Sequence, residues 1–216
     1  MKKKLATIVL LTFTMIALGQ QDQKAKDILG QVSKKTKSYT SISAEFIFSM
    51  ENKEENIKEK NNGSLSLKGE KYLVELPDLG FKVYSDGETI WTYQEDGNQV
   101  SITSKEEGDQ ELLDPATIFQ IYEKGFNFKF VEEKKVKGKA LYFIELIPQN
   151  DDQDFTSVTI TIEKETMMID KAIMYGQDGN LYGIEVTKME TNKPMSESMF
   201  VFDPSKYHDI EIIDFR

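Results

Sequence analysis

The sequence predicts a mainly antiparallel β protein of about ten or eleven strands, with one helix at its N-terminal end and one in mid-chain. Three observations carry this. Phe81 to Ile102 reads as three short strands joined by two tight turns, Asp86-Gly87 and Asp96-Gly97-Asn98. Glycine supplies the positive φ such turns need. Two-residue alternation recurs through most of the remaining chain, as in Val158, Ile160 and Ile162 set between threonines. Helical periodicity occurs in only two places, around residues 22–37 and 112–124.

Taken in order, Met1 to Gly19 has the layout of an export signal. Lys2-Lys3-Lys4 are a positive start, Leu5 to Ile16 an apolar run, and Ala17-Leu18-Gly19 a small-x-small cleavage site. Residues 20–216 are expected to be the single folded domain, released before Gln20. The apolar run is too short for an ordinary membrane span. Removing three lysines takes the formal charge from −10 to −13.

Asp22 to Lys37 carries Ala25, Ile28, Leu29 and Val32 at helical spacing, with Lys34, Lys35 and Lys37 toward its C-terminal end. The stripe predicts a helix closing one end of a sheet. Ile42, Ala44, Phe46, Phe48 and Met50 then alternate as a half-buried strand. The charged run Glu51 to Gly63 reads as a solvated connection, made of loop or exposed strand tips. Two further strands follow, with Leu65 and Leu67, then Tyr72, Val74 and Leu76, pointing inward. Pro77-Asp78-Leu79-Gly80 turns the chain into the three strands of the opening observation. There Trp91 and Tyr93, two residues apart, share a face.

Leu112 to Lys124 breaks the strand pattern. Asp114-Pro115 is an N-cap with proline at the first helical position, Ile118, Phe119 and Tyr122 form an apolar face, and Gly125 can end the helix. Such a helix can cover an open sheet. Strands resume at 126–132, 139–147, 155–163, 168–175, 181–189 and 198–202, with a hairpin turn at Asp178-Gly179-Asn180.

Composition excludes much. The chain has no cysteine and one histidine, His208, so cysteine chemistry and multi-histidine metal sites are ruled out. His208 lies in a polar tail and reads as a surface residue. Acidity without a basic cluster argues against a nucleic-acid surface and against permanent attachment to an anionic membrane. Asn150 to Asp154 lacks the spacing of a calcium loop. No catalytic or nucleotide-binding motif occurs, and no carboxylate pair stands out. The expectation is therefore no enzyme, no cofactor and no metal.

What remains is a large sheet with a soft inner face. Candidate inward residues are Phe46, Phe48, Met50, Leu65, Leu67, Val74, Phe81, Val83, Trp91, Ile118, Phe119, Phe128, Phe130, Met174 and Phe202. They suit a filled core, and phenylalanine and methionine equally suit an adaptable greasy pocket. A highly curved sheet of this size must be filled by side chains or by ligand.

Several fragments carry a family resemblance. Ser85-Asp86-Gly87 followed by Ile90-Trp91-Thr92-Tyr93 resembles the "SDG…W.Y" core of the periplasmic outer-membrane lipoprotein carrier family. Ala44-Glu45-Phe46 is similar to its "A.F" strand, Gly63-Ser64-Leu65 to its "G.L" strand opening, and Phe200 to Pro204 to its late "F.F.(P)P" ending. The order helix, meander, helix, second run of strands matches over nearly the whole chain after residue 19. The resemblance implies an unclosed antiparallel β-barrel covered by the N-terminal helix (Ile28, Leu29, Val32) and a central helical lid (Ile118, Phe119, Tyr122) over a hydrophobic cavity. It implies a soluble, monomeric periplasmic chaperone that takes the acyl chains of lipoproteins from an inner-membrane ABC-type releasing complex and delivers them to the outer membrane, with or without an acceptor there. A binding or sensing protein for another apolar ligand, such as a free lipid, and an exported interaction module without ligand remain open. In one respect the chain departs from the family. Where members carry a lid-holding arginine after the "G.L" strand, this chain reads Lys68-Gly69-Glu70-Lys71, and its only arginine is Arg216.

Overall fold

The computed structural model of the protein describes residues 22–105, 125–150 and 153–216. A helix, α1, spans 22–37. The strands are β1 (Ile42–Asn52), β2 (Ile57–Lys68), β3 (Lys71–Leu76), β4 (Phe81–Ser85), β5 (Thr89–Gln94), β6 (Gln99–Ser104), β7 (Phe126–Val136), β8 (Lys139–Pro148), β9 (Phe155–Glu163), β10 (Met168–Gly176), β11 (Leu181–Thr191) and β12 (Glu211–Asp214). They form one sheet in the order β12-β6-β5-β4-β3-β2-β1-β11-β10-β9-β8-β7.

Two meanders, β1 to β6 and β7 to β11, are fused where β1 pairs antiparallel with β11, from Ile42↔Thr191 to Glu51↔Leu181. β12 adds to the edge of β6 in parallel. β7 and β12 are the two free edges and do not pair with each other, so the sheet is unclosed.

The sheet is nevertheless strongly curved. Ala25, Ile28, Leu29 and Val32 of α1 share one buried cluster with Leu65 and Val74 of β2 and β3 and with Phe130 and Ile144 of β7 and β8. Strands β3 and β7 stand seven positions apart in the order. Flat, they would be on the order of 34 Å apart at ~4.8 Å per strand, far beyond a helix ~10–12 Å across. The sheet therefore wraps around α1.

The helix and the strands from β1 to β11 lie where alternation and turn chemistry place them. Four details refine or correct the sequence expectation. Of the charged run read as loop or exposed strand tip, 57–63 is strand, the first half of β2, because β1 pairs with it residue by residue from Asn52↔Ile57 to Phe46↔Gly63. Residues 198–202 are not a strand; Glu197–Phe200 is a 3₁₀ turn. The polar tail holds an unexpected strand, β12. In the turn after β5 the positive φ belongs to Asn98 rather than Gly97. The predicted helix over 112–124, with Ile118, Phe119 and Tyr122, lies outside the described residues, as do residues 1–19, read from the sequence as an export signal.

After β11 the chain crosses the outer face of the sheet to reach the edge of β6. Phe200 and Phe202 are buried along this strap. Lys68 and Lys71 anchor its start, both donating to the Glu197 carboxylate, Lys71 at 2.7 Å. Lys68 also donates to the carbonyl of Met195.

Candidate functional site: an apolar trough inside the sheet

The inner face is built from cross-strand rows. Phe48 stands opposite Ile184, then Ala172, Ile160, Ile144 and Phe130 across five strand boundaries. The next row runs Met50, Tyr182, Met174, Val158, Leu146 and Phe128. On the other limb Ala44 faces Leu65, Leu65 faces Val74, and Val74 faces Val83. Directly opposed residues point to the same face, so these rows line one concave surface.

The fragments "A.F" and "G.L" are thus cross-strand neighbours, with Ala44↔Leu65 and Phe46↔Gly63. The Phe46 ring lies over Gly63, since a β-carbon there would fall 2.4 Å from two of its atoms. Glycine is needed at this position to let that ring lie flat. The "SDG" fragment is a turn device. Asp86 accepts from the N–H groups of Glu88 and Thr89 at 2.9 and 2.8 Å, and Ser85 accepts from Gly87. Gly87 holds the left-handed φ of 98°. Asp203 of the late fragment accepts from Ser205 and caps a short 3₁₀ turn. Each fragment has a structural task in holding the curved sheet.

Of the predicted inner residues, Phe46, Leu65, Leu67, Val74 and Phe130 are buried in the cluster with α1. Ile28, Leu29 and Val32 are buried opposite them, and Lys24 caps the contact, its ammonium 3.6 Å from the centre of the Phe130 ring. Phe48, Val83, Phe128 and Met174 are only half-buried and pack against this cluster. Met50 and Phe81 are half-buried on the same face. Leu76, read as inward, extends the same surface, as do Phe126 and Ile184, which the sequence reading did not single out. The parity of Phe126 with Phe128 was the available signal. Ile184 is located only by the long-range pairing of β1 with β11.

Trp91 and Phe202 are corrections. Trp91 is opposite Tyr84, while Val83, on the other face of β4, belongs to the inner cluster. Trp91 and Tyr93 share a face as predicted, but it is the outer one. There Tyr93, Val100 and Phe202 form a second buried cluster with Tyr84, Trp91, Tyr207 and Ile210. Phe202 stacks with Tyr207 at 4.9 Å and meets Tyr84 edge-on at 5.6 Å. Burial, aided by a hydrogen bond with Tyr207, pushes the Tyr84 hydroxyl well above its ordinary range. The strap therefore seals the outer face and contributes nothing to the inner one.

The inner face has an uneven cover. α1 buries one part of it, and among the described residues nothing buries the part holding Phe48, Met50, Leu76, Phe81, Phe128 and Met174. A separate open groove of about 340 Å³ lies beside the end of β11, lined by Thr40, Ser41, Lys68, Asn192, Lys193, Pro194 and Met195. Its lining mixes polar and apolar surface in about equal measure and lies apart from the trough. His208 is exposed, next to Asp209 at 2.6 Å. No cluster of metal-binding side chains occurs among the described residues. Of the sequence run 150–154, Asp151 and Asp152 lie outside them. No helix among the described residues is long and apolar enough to cross a membrane.

The class the geometry defines is that of an unclosed antiparallel sheet wrapped around a helix, with part of its apolar inner face uncovered among the described residues. Residues 37–203 match the outer membrane lipoprotein carrier protein LolA family, and the chain belongs to it. It is 24% identical over 129 residues to the outer-membrane lipoprotein carrier protein of Legionella pneumophila strain Lens, covering 59% of this chain and 61% of that one. The matched region thus spans about three fifths of the relative's length. Among solved structures, an uncharacterized conserved protein from Thermus thermophilus superposes with a TM-score of 0.61 at 14% identity, covering 88% of this chain and 99% of that chain. The Mycobacterium tuberculosis lipoprotein LppX superposes with a TM-score of 0.50 at 14% identity, covering 81% and 98%. These two likenesses establish the fold.

Proposed function

We propose that this chain is an exported, non-enzymatic carrier that binds the acyl chains of lipoproteins in the apolar trough and moves them from the inner to the outer membrane. The observation that carries the proposal is the half-buried patch of Phe48, Met50, Phe128 and Met174, drawn from two adjacent rows, beside a buried floor. Family membership supports the cargo. In this reading an inner-membrane ABC-type complex loads the chain and an outer-membrane site receives the cargo.

The energetics explain the need for a carrier. Burying a methylene is worth about 0.8 kcal/mol. Three acyl chains of roughly fifteen methylenes each would lose on the order of 35 kcal/mol of burial in water. The carrier must replace most of that and still bind more weakly than the destination membrane. Partly exposed phenylalanine and methionine, soft and adaptable, meet both demands.

One observation favours a second ligand class. Lys68 and Lys71 occupy the region of the family's lid arginine, yet both are committed to Glu197 of the strap. A trough closed by a different contact suits a free lipid as well. The test is retention of a tri-acylated lipopeptide in detergent-free solution. The carrier reading predicts a soluble one-to-one complex that Phe128→Asp abolishes. Retention of single-chain fatty acids but not of the lipopeptide would replace it with the second reading.

A further inference from the structure

Because the strands of the main sheet are antiparallel, their connections fall at two opposite rims. One rim holds the end of α1, the β2–β3, β4–β5, β7–β8 and β9–β10 turns, the start of the strap and the end of β12. The other holds the β1–β2, β3–β4, β5–β6 and β10–β11 turns. Charge is divided between them. At the second rim the turns carry Glu54, Glu55, Asp78, Glu95, Asp96 and Asp178 against Lys53. Among the described residues of the first rim, ion pairs take up Glu197 (with Lys68 and Lys71), Glu163 and Asp170 (with Lys139), Glu133 (with Lys164), Glu70 (with Lys105) and Asp214 (with Arg216), leaving Asp86, Glu88 and Glu165 as the acids of its turns without one. Lys34, Lys35, Lys134, Lys135, Lys137 and Lys193 remain there with no ion pair to a described residue. The same rim ends β12 with Phe215, 62% exposed, which exceeds every other large apolar residue described.

We infer that this basic rim docks the protein transiently on an anionic lipid surface, with Phe215 entering the interface. The lysines are spread over separate hairpins around a rim, which suits a planar field of charge more than a compact protein cleft. Lysine rather than arginine dominates, which suits diffuse attraction more than bidentate recognition. A neighbouring exposed aromatic is the usual companion of such a basic surface at a bilayer. The acidic second rim and the net charge of −10 oppose every other orientation. Docking is therefore oriented and reversible. It is compatible with the expectation that so acidic a chain is not permanently attached to an anionic membrane: the docking is transient, and the acidity of the total is not that of this rim. The inference stands on charge placement and does not depend on the cargo.

The test is flotation of the full chain, as isolated with its N-terminus determined, with vesicles of phosphatidylcholine alone or mixed equally with phosphatidylglycerol. Binding is expected only to the anionic vesicles, with at least ~10-fold loss on raising salt from about 20 to 300 mM. K134Q/K135Q/K137Q, on an exposed hairpin tip, should weaken it at least ~10-fold. Phe215→Ser should weaken it further in the salt-resistant part. E54Q/E55Q/D96N at the other rim should not weaken it. Glu106, Glu107, Asp109 and Glu111 follow Lys105 in the sequence; if they screened this rim, no vesicle binding would be seen, and the inference would fail. Equal binding to neutral vesicles, or equal effects of the two triple variants, would overturn it. So would capture by soluble polyglutamate as strong as by the vesicles and indifferent to Phe215.

Discussion

Gly63→Ala is the sharpest probe of the inner face, because one methyl group tests whether Phe46 is fixed. A β-carbon at 63 would stand 2.4 Å from Cε2 and Cζ of Phe46 and 2.9 Å from a methyl of Leu76. Phe46 is buried in the α1 cluster and has little room to move. Overpacking of this kind costs about 1–3 kcal/mol. Gly63 has no positive φ, so alanine returns about 0.5–1 kcal/mol through the unfolded chain. The net expectation is about 0–2.5 kcal/mol of destabilisation. For a chain of 216 residues that is a fall in Tm of up to about 10 °C. Urea unfolding and calorimetry would measure it, alone and with Phe46→Leu. With the shorter side chain present, G63A should be neutral or stabilising, a coupling above about 0.5 kcal/mol. Equal cost of G63A in both backgrounds would refute the placement of Phe46 over Gly63.

Other outcomes follow from the same geometry. Phe202→Ala should cost about 3 kcal/mol and should speed amide exchange in β12 before the inner strands. Exchange that rises uniformly would contradict a separate outer cluster. Lys68 and Lys71 lower the Glu197 carboxyl from its ordinary 4.5 to about 2. The unfolded state then binds more protons between those values, so the clamp is complete above pH about 4.5 and is lost as pH falls toward about 2. Glu197→Gln should flatten strap opening over this window, read by amide exchange after Met195; an unchanged profile would dismiss the clamp. Trp91 sits outside the trough, so an apolar ligand held inside should leave its emission nearly unshifted. Quenching by a brominated acyl ligand would show that ligand binds the outer face instead.

Much of this was legible in the sequence because alternation and turn residues encode strand and parity locally. Trp91 and Tyr93 were assignable to a common face, yet parity cannot say which face is inner. That depends on the strap, whose Phe202 arrives from more than a hundred residues away. β12 escaped notice because a four-residue edge strand leaves Ile212 half-exposed and shows no alternation. The first half of β2 was hidden by its charges, which a curved sheet tolerates where a hairpin projects beyond the core. Cross-strand pairs such as Phe48↔Ile184 depend on the β1–β11 fusion, a long-range event without a local signature.

The most direct test of the carrier account is native mass spectrometry of the protein isolated from its cellular compartment without detergent, followed by denaturation and lipid analysis. The account predicts a fraction carrying one tri-acylated polypeptide, lost in Phe128→Asp. Uniformly empty protein that also ignores an apolar fluorescent probe would contradict it and leave the inner face a filled core.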